Sequence, residues 1–457
     1  MATKAICDIV PDELLLCALD YLSLADLLVL MRISKRWFAL AVEHPIYWQK
    51  LVLRARSSHA HYAHGLALIR KRLSRSNGRP VQLVLDLQEP QSAVTELLED
   101  ISRHLYHIET LEITGSVDFA ETLFDSLHAP APYLQSFKLV LRPATIGFPY
   151  PVVTLRRDIF DSHAPVLTHA SFSNLCLPAA AAPGLGAIEE LELGCTWLWE
   201  CMVTRELFPL APRLRALTLT GDVIVDRPKE GWDVDCWENL EALVFNGTPI
   251  SHSWHTLNLP ITNVRDVAVL HGDAISVAVL SDQLHGPLRA TIAFVPESGE
   301  LDMTFYAASP RDGRAHIRRV SAPVTEDADD AVLRELSALA NRITSLKIPL
   351  YTRDRTAEAL AMMPHLTELE LSIVAKGNLS DACEVGPAIS CPSLARLALT
   401  SASRTLTVAI SLEDVFQFTS ACTKDVAYPL SLTLDGVVLR GGTETMPDIF
   451  EPVHLCS

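Results

Sequence analysis

The apolar positions of residues 9–41 recur at the spacing of three short amphipathic helices. Pro11 and the two acids after it suit the first turn of a helix, because acids favour the positive end of the helix dipole. Ser23 begins a capping box that starts a second helix, and Ser34 can cap a third. Pro45 ends the third helix, since the residue before a proline avoids helical geometry. The pattern predicts a three-helix module at the N-terminus.

This module carries more apolar residues than its helices can bury among themselves. An unbroken apolar run extends from Leu27 to Met31, whereas a surface helix needs only one apolar stripe. A module of about 40 residues is too small to hide that many leucines internally. Apolar surface that a small module cannot cover is usually a protein-binding face, so the sequence predicts a protein partner.

The order and spacing of these residues resemble an F-box. The matching segments are Val10-Pro11-x-Glu13-Leu14-Leu15, Leu19-x-Tyr21-Leu22, Asp26-Leu27-Leu28, Ile33-Ser34-Lys35-Arg36-Trp37 and Pro45-x-x-Trp48. Val10 departs from the pattern, because a leucine often precedes the proline. The resemblance implies docking on a Skp-type adaptor, which links the chain to a cullin scaffold and a RING subunit of a ubiquitin ligase. The alternative is an ordinary helical bundle packed on its own C-terminal domain.

The same resemblance assigns the adaptor contact residue by residue. Trp37 and Trp48 would hold the module together or border the contact. The full candidate set is Pro11, Leu14, Leu15, Leu19, Leu22, Leu27, Leu28, Trp37 and Trp48.

A basic segment follows the module. It contains Lys50, Arg54, Arg56, Arg70, Lys71, Arg72, Arg75 and Arg79, with no acid between Glu43 and Asp86. We interpret it as a solvated helix and loop that join the module to the rest of the chain. A nuclear-import or phosphate-binding patch is the alternative. No nearby cysteine or carboxylate completes a metal shell around its three clustered histidines, so we interpret these as exposed linker residues: His59, His61 and His64.

Beyond residue 80 the spacing apolar-x-x-apolar-x-apolar recurs. Its first seven copies begin at Ile108, Leu134, Leu167, Ile188, Leu214, Leu240 and Val264, which gives an average interval of 26 residues. This interval lies within the ~20–29 residues of leucine-rich repeats. Later copies begin at Ile343, Leu366 and Leu394. We expect two degenerate copies between Val269 and Ile343, because that gap is close to three intervals.

Each copy predicts a short strand whose last two apolar residues point into the core, often after a short helix. Such a unit cannot bury its own core, so neighbouring units must stack into a curved, right-handed solenoid that resembles leucine-rich-repeat domains. The asparagine that regular repeats place after the strand is missing, which predicts irregular spacing. A compact α/β domain with a mostly parallel sheet is the competing fold.

The predicted fold class is therefore mixed α/β: a small N-terminal trihelical F-box followed by an irregular leucine-rich-repeat-like α/β solenoid. The predicted boundaries are 1–54 for the F-box domain, 55–79 for a basic linker or helix, 80–440 for the solenoid and 441–457 for a C-terminal tail. This layout resembles F-box proteins that are abundant in mushroom-forming fungi.

Charge and composition narrow the possible functions. Residues 1–79 carry 12 Lys and Arg against 6 Asp and Glu, while the remaining chain carries 26 against 49. So acidic a main body repels phosphate, and we expect no nucleic-acid partner. Acids interrupt the start of the chain, and prolines interrupt its longest uncharged stretch, residues 164–188. We therefore expect no signal peptide, no membrane partner, and a cytoplasmic and/or nuclear location.

Motifs for catalysis are missing from the sequence. We find no G-x-S-x-G elbow, no G-x-x-x-x-G-K-[ST] loop and no H-E-x-x-H helix, which predicts a non-catalytic protein with no cofactor and no metal. Trp197 and Trp199, between Cys195 and Cys201, could line a pocket or pack at the edge of a repeat.

These observations predict a substrate-recognition subunit of an SCF-type (Skp–cullin–F-box) ubiquitin ligase that captures an unknown protein target. The alternative is a structural or regulatory protein that binds the Skp adaptor without ubiquitylation. Side chains alternate along a strand, so the residues flanking the inward pairs form the concave, target-binding face. The acids on this face outnumber its basic residues Lys138, Lys347 and Arg396, which favours a basic partner. The alternative is that these acids only keep the protein soluble. The candidate acids are Glu112, Glu190, Glu192, Asp266, Glu368 and Glu370.

Overall fold

The computed structural model of the chain divides into two compact units. The first unit is Met1–Gly231 and the second is Trp232–Ser457. The structure describes residues 10–54, 59–87, 92–142, 153–178, 180–194, 201–203, 207–221, 223–225, 237, 239–247, 261–295, 300–308, 313–323, 326–349, 360–373, 388–401, 408–426, 429–440 and 450–456. Among these residues, no helix combines the length and the apolar character that crossing a membrane requires.

The N-terminal module has the three predicted helices and one further turn. They are α1 (Asp12–Leu19), α2 (Leu24–Leu30), α3 (Lys35–Glu43) and α4 (Pro45–Trp48). The predicted capping box is present, since the Ser23 side chain accepts from the Asp26 N–H and the Asp26 carboxylate accepts from the Ser23 N–H. The Ser34 hydroxyl accepts from the Trp37 N–H at 3.3 Å and caps α3. Local capping chemistry therefore sets where these helices begin.

The first unit continues as a parallel sheet. Its strands pair in chain order: β1 (Lys50–Leu53), β2 (Val81–Asp86), β3 (Ile108–Ser116), β4 (Ser136–Arg142), β5 (His169–Ser173), β6 (Glu190–Gly194) and β8 (Ala216–Thr220). A separate parallel pair joins β7 (Cys201–Val203) to β9 (Val223–Val225). The helices of this part are α5 (His59–Arg75), α6 (Ser92–His104), α7 (Ala120–Ser126) and α8 (Leu207–Leu210). Single 3-10 turns span Leu105–His107, Val117–Phe119, Ile159–Ser162 and Pro183–Leu185.

Alternation along each strand buries one side of this sheet. The residues at one register level across the seven strands are Leu51, Leu83, Leu111, Phe137, Ala170, Leu191 and Leu217, and all of them are buried. The Phe137 ring makes edge-to-face contacts with Phe160 and Phe172, at centroid distances of 5.1 and 5.7 Å. Close-packed apolar layers of this kind hold the sheet together.

Helix α5 corresponds to the basic segment, and it is not wholly solvated as expected. Tyr62, Leu66, Ile69 and Leu73 repeat at helical spacing and are all buried. Their stripe makes one face of α5 part of the core. His61 and His64 are exposed, whereas the side chain of His59 lies outside the described part.

The second unit contains a mixed sheet. Its strands are β10 (Ala242–Asn246), β11 (Asp266–Leu270), β12 (Leu288–Val295), β13 (Glu300–Ala308), β14 (Ala315–Pro323), β15 (Ile343–Pro349), β16 (Glu368–Ile373), β18 (Arg396–Ser401), β21 (Leu430–Asp435) and β23 (Phe450–Cys456). Two short parallel pairs join β17 (Ile389–Ser390) to β20 (Thr423–Lys424) and β19 (Val408–Ser411) to β22 (Val437–Arg440). The helices are α9 (Ala274–Asp282), α10 (Glu326–Leu339) and α11 (Leu412–Cys422), with a 3-10 turn at Ile261–Asn263.

Strand order in this sheet is β10, β11, β14, β13, β12, β15, β16, β18, β21 and β23. All neighbours are parallel except β13, which is antiparallel to both β12 and β14. The expectation of two degenerate repeat copies between Val269 and Ile343 is therefore wrong. Only residues 296–299 separate β12 from β13. That connection fits a hairpin, because a parallel crossover needs about a dozen residues or more.

The prediction of a mixed α/β chain, helical at its N-terminus and strand-rich afterwards, is confirmed. Each of the ten repeat copies places its last two apolar residues in a strand of the first or the second unit. The pattern did not identify β1 and β2, so the first sheet begins at Lys50 rather than after residue 80. The solenoid form stays a prediction.

Candidate functional site

The N-terminal module leaves large apolar side chains exposed to solvent. Leu14 is 61% exposed on α1, Val29 is 61% exposed on α2, and Phe38 is 40% exposed on α3. Tyr21 and Ile33, in the turns between these helices, are 91% and 62% exposed. These five residues form what we call the apolar module surface. So much exposed apolar area on one small module is typical of a protein-binding site.

The candidate adaptor residues divide into three groups by burial. Pro11 and Leu14 are exposed, while Leu22, Leu28 and Trp37 are half-buried. The remaining four are buried: Leu15, Leu19, Leu27 and Trp48. A buried side chain offers no area to a partner in this conformation, so these four stabilise the module instead. Sequence reasoning missed Tyr21, Val29, Ile33 and Phe38 as exposed positions, although all four lie within or directly beside the quoted F-box segments.

The inner side chains of the module form one cluster. Leu19, Leu27 and Ala41 pack with Tyr47 and Trp48, and the half-buried leucines surround them. The Trp48 Nε1–H donates to the Glu43 carbonyl oxygen at 3.2 Å. Burying a large aromatic ring with its polar atom bonded is stabilising. This buried cluster therefore holds together the helices that carry the apolar module surface.

Arg72 fastens the module to the sheet of the first unit. Its guanidinium donates to the carbonyl oxygens of Lys50 at 2.9 Å, Ile46 at 3.4 Å and Tyr47, and it lies 5.4 Å from the centre of the Tyr47 ring. Arg72 is 2% exposed. Burial lowers its pKa to about 10, so the group stays charged at neutral pH. The interpretation of this arginine as part of a solvated segment is therefore wrong, because Arg72 is buried and bonded to three carbonyl oxygens.

Arg79 adds a second link between the module and the sheet. Its guanidinium lies 2.7 Å from the Glu43 carboxylate and 5.1 Å from the centre of the Trp48 ring. The Arg79 carbonyl oxygen lies 2.7 Å from Nδ1 of the buried His107. Because a carbonyl oxygen only accepts, that nitrogen must carry the proton.

His107 belongs to a pair of imidazoles. Its Nε2 is 2.9 Å from Nδ1 of His104, so in the neutral pair His104 donates and His107 accepts. Burial lowers the pKa of both groups. The pair therefore resists taking up protons while the chain is folded.

A shallow open depression lies on the solvent-facing side of the first sheet. We call it the strand-face depression; its volume is about 290 Å³. The side chains at the centre of the depression are short, and longer charged side chains surround them. Its outward-facing residues are Glu112, Ser136, Lys138, His169, Ser171, Glu190, Glu192, Ala216 and Thr218.

The acids of the depression make polar contacts inside it, but none of these contacts is with a Lys or Arg among the described residues. The Ser171 hydroxyl donates to Glu192 Oε2 at 2.9 Å, and His169 Nε2 lies 3.4 Å from Glu190 Oε2. Across the described residues, no Lys or Arg lies within ion-pair distance of Glu112, Glu190 or Glu192. Three of the six predicted face acids thus line the same depression.

The three other predicted acids, in the second unit, are neutralised by basic neighbours. Asp266 pairs with Arg319, and Glu370 pairs with Lys347 at 2.5 Å. Glu368 accepts from Arg396 at 3.0 Å and lies 3.5 Å from Arg289. These ion pairs reduce the negative charge that the second unit offers, and a basic partner for its acids stays a prediction. Sequence reasoning missed Arg289 and Arg319, because it did not recognise β12 and β14 as strands.

Other chemistry is limited in the part of the chain that the structure describes. There, no group of three His, Cys, Asp or Glu residues has an arrangement that could hold a metal. Burial raises the pKa of the Cys391 thiol to about 12 and also raises that of Cys176, so neither is a ready nucleophile at neutral pH. The suggested pocket at Trp197 and Trp199 lies outside the described residues.

Comparison with known families identifies the N-terminal module. Residues 7–54 match the family model described as F-box-like. The match supports an F-box protein and suggests the Skp-binding adaptor role that F-boxes have in SCF-type complexes. It covers the module and β1 and leaves the rest of the chain untested. No curated protein matches the chain.

Proposed function

We propose that the chain is a non-catalytic substrate-recognition subunit of an SCF-type ubiquitin ligase. Its F-box would dock on a Skp-type adaptor, and its strand-rich region would capture a protein target. Cullin and RING subunits would join through the adaptor, in the cytoplasm, the nucleus or both. The observation that carries the proposal is the apolar module surface on a segment that matches F-box-like domains.

Burial refines which side chains would reach the adaptor. Leu14 on α1, Tyr21 after it and Ile33 before α3 are exposed apolar members of the F-box segments that would lose solvent on docking. Leu19 and Leu27 would act indirectly, by holding α1 and α2 in position within the buried cluster, and Leu15 is buried as well. Hot spots at interfaces are such apolar anchors that become fully desolvated.

The clamp at Arg72 supports the same function. It ties α4 and β1 to α5, so the F-box and the start of the first sheet share one hydrogen-bonded core. A receptor must hold its target in a fixed position relative to the scaffold. A rigid join serves that need better than a flexible linker.

Affinity capture of the tagged chain, followed by mass spectrometry, tests the proposal against its alternative. We expect the adaptor, a cullin and a RING subunit to co-purify with the wild-type chain, and all three to disappear together from the Leu14→Asp variant. Recovery of the adaptor without cullin or RING subunits would favour the structural or regulatory alternative. Recovery of none of them with the wild-type chain would refute both.

A further inference from the structure

The tetrapeptide Glu-Leu-Glu-Leu opens a strand in each unit. It spans residues 190–193 at the start of β6 and residues 368–371 at the start of β16. All four leucines are buried, so in both strands the two carboxylates point to the opposite, solvent-facing side. Both strands also lie between two parallel neighbours. The chain therefore contains the same local motif in two different surroundings.

Neighbouring strands supply the cations for the motif in the second unit. Arg396 stands opposite Glu368 on the following strand, and Lys347 stands opposite Glu370 on the preceding strand. Both form ion pairs with their register partners, at 3.0 and 2.5 Å. Burial raises the pKa of Glu368, but the bonds from Arg396 and Ser345 outweigh that effect and hold this pKa below its usual value. Two outward carboxylates on one strand are thus stabilised by basic side chains across the sheet.

Among the described residues, the motif in the first unit has no Lys or Arg beside it; its register partner His169 has Nε2 3.4 Å from Glu190 Oε2. Ala216 stands where Arg396 stands in the second unit, opposite Glu190. Ser171 stands where Lys347 stands, opposite Glu192. These short side chains leave open the space that basic groups fill in the second unit, and that space is part of the strand-face depression.

We propose that the strand-face depression binds an arginine or lysine side chain of a target protein, which occupies the place of the missing cation beside Glu190 and Glu192. The second unit shows that this motif accepts such groups with good geometry. This inference rests on the proposed function, because it names the chemistry of the captured target. A guanidinium is favoured over an ammonium, since its planar donors can bond two carboxylates together.

Lys138 makes the depression directional. Lys138 lies on β4, two strands from β6, and its register partner is Glu112 on β3. It also lines the depression. Its ammonium repels a second cation at that end. The target segment therefore places its basic residue over β6 and an uncharged or acidic residue over β4. Such charge complementarity acts mainly on specificity and association rate.

Two substitutions at one position test the proposal. Ala216→Arg gives Glu190 the register partner that Glu368 already has, so the chain itself would fill the depression. Ala216→Gln adds a shorter polar side chain that carries no charge. The probe is a displayed library of random peptides, selected separately on the full-length wild-type chain and on each variant.

We expect peptides selected on the wild-type chain to be enriched in Arg and Lys, and this enrichment to disappear on Ala216→Arg and persist on Ala216→Gln. Replacing the basic residue of the best peptide by citrulline should weaken binding by about tenfold or more. The Glu368→Gln/Glu370→Gln variant should still select basic peptides, because those acids are already paired.

The proposal is overturned if the wild-type chain selects no basic peptides, or if Ala216→Arg selects them equally well. Displacement of the best peptide by an equal concentration of spermidine would assign the site to a small polyamine instead of a protein segment. Adaptor binding, measured on the same variants, should not change. A failure of this inference is therefore distinct from a failure of the proposed function.

Discussion

Replacing Arg72 by alanine should loosen the join between the F-box and the first sheet. The guanidinium donates to three backbone carbonyl oxygens, and bonds from a charged donor contribute about 1.5–3 kcal/mol each. The pKa of about 10, down from 12.5, corresponds to roughly 3 kcal/mol of burial cost that alanine would relieve. The difference predicts a fall of about 3 kcal/mol in the free energy of unfolding, because the carbonyl oxygens lose their donors.

Urea unfolding followed by circular dichroism measures this loss. Lys71→Ala is the matched control: it removes a neighbouring basic side chain that is exposed, and it should change stability by less than about 0.5 kcal/mol. Arg72→Lys should lie between the two, since one ammonium cannot bond three oxygens in the same fork. If Arg72→Ala loses no more stability than Lys71→Ala, the clamp does not stabilise this join.

Three further predictions concern stability. Truncating a buried strand leucine to alanine should cost ~2–5 kcal/mol in urea unfolding, and a smaller loss would contradict the assigned core; the test positions are Leu191, Leu217 and Leu369. Burial lowers the pKa of His104 and His107, so the unfolded chain binds more protons below the ordinary value of 6.5. Stability should therefore fall as the pH drops below that value, and the slope should flatten in His104→Gln/His107→Gln. Gly272→Ala would place a Cβ 2.7 Å from Val320 Cγ1 and should cost ~1–3 kcal/mol in the same assay; an unchanged midpoint would show that this contact relaxes freely.

Local signals were enough to predict the helices of the module. The capping residues Ser23 and Ser34 act within a few residues of themselves, so their effect is visible in sequence. Burial within the module was less predictable. Leu27 is fully buried while Val29, two residues later, is 61% exposed. An unbroken apolar run does not tell which of its side chains other helices cover.

The repeat spacing predicted the parallel strands, but it did not predict that β13 runs antiparallel to both of its neighbours. Strands β15 and β16 follow the spacing and pair in register, with Leu346 opposite Leu369. Strands β12 and β13 both alternate apolar and polar residues, although they run in opposite directions. Period-two alternation carries no information about direction. The length of a connection does carry information about direction. Only residues 296–299 lie between β12 and β13, which is too few for a parallel crossover.

Pairing of the acids depended on register between distant segments. Glu368 meets Arg289, although 79 positions separate them in the sequence. Three of the six predicted face acids are thus paired with basic residues that the sequence pattern did not place beside them. Of the six acids, those of the first unit, where Ala216 and Ser171 are neighbours, have no Lys or Arg partner among the described residues, and only His169 lies beside Glu190.

The central claim is that the N-terminal module docks on a Skp-type adaptor through its exposed apolar side chains. Isothermal titration of the purified full-length chain with a purified adaptor tests it most directly. Aspartate at an interface of this kind buries an unpaired charge, so Leu14→Asp and Ile33→Asp should each weaken binding by about a hundredfold or more. Val438→Asp, at an exposed apolar position of β22, is the control and should bind as the wild-type chain does. Folded Leu14→Asp and Ile33→Asp variants that bind as tightly as Val438→Asp would contradict the claim, as would a wild-type chain that gives no binding heat.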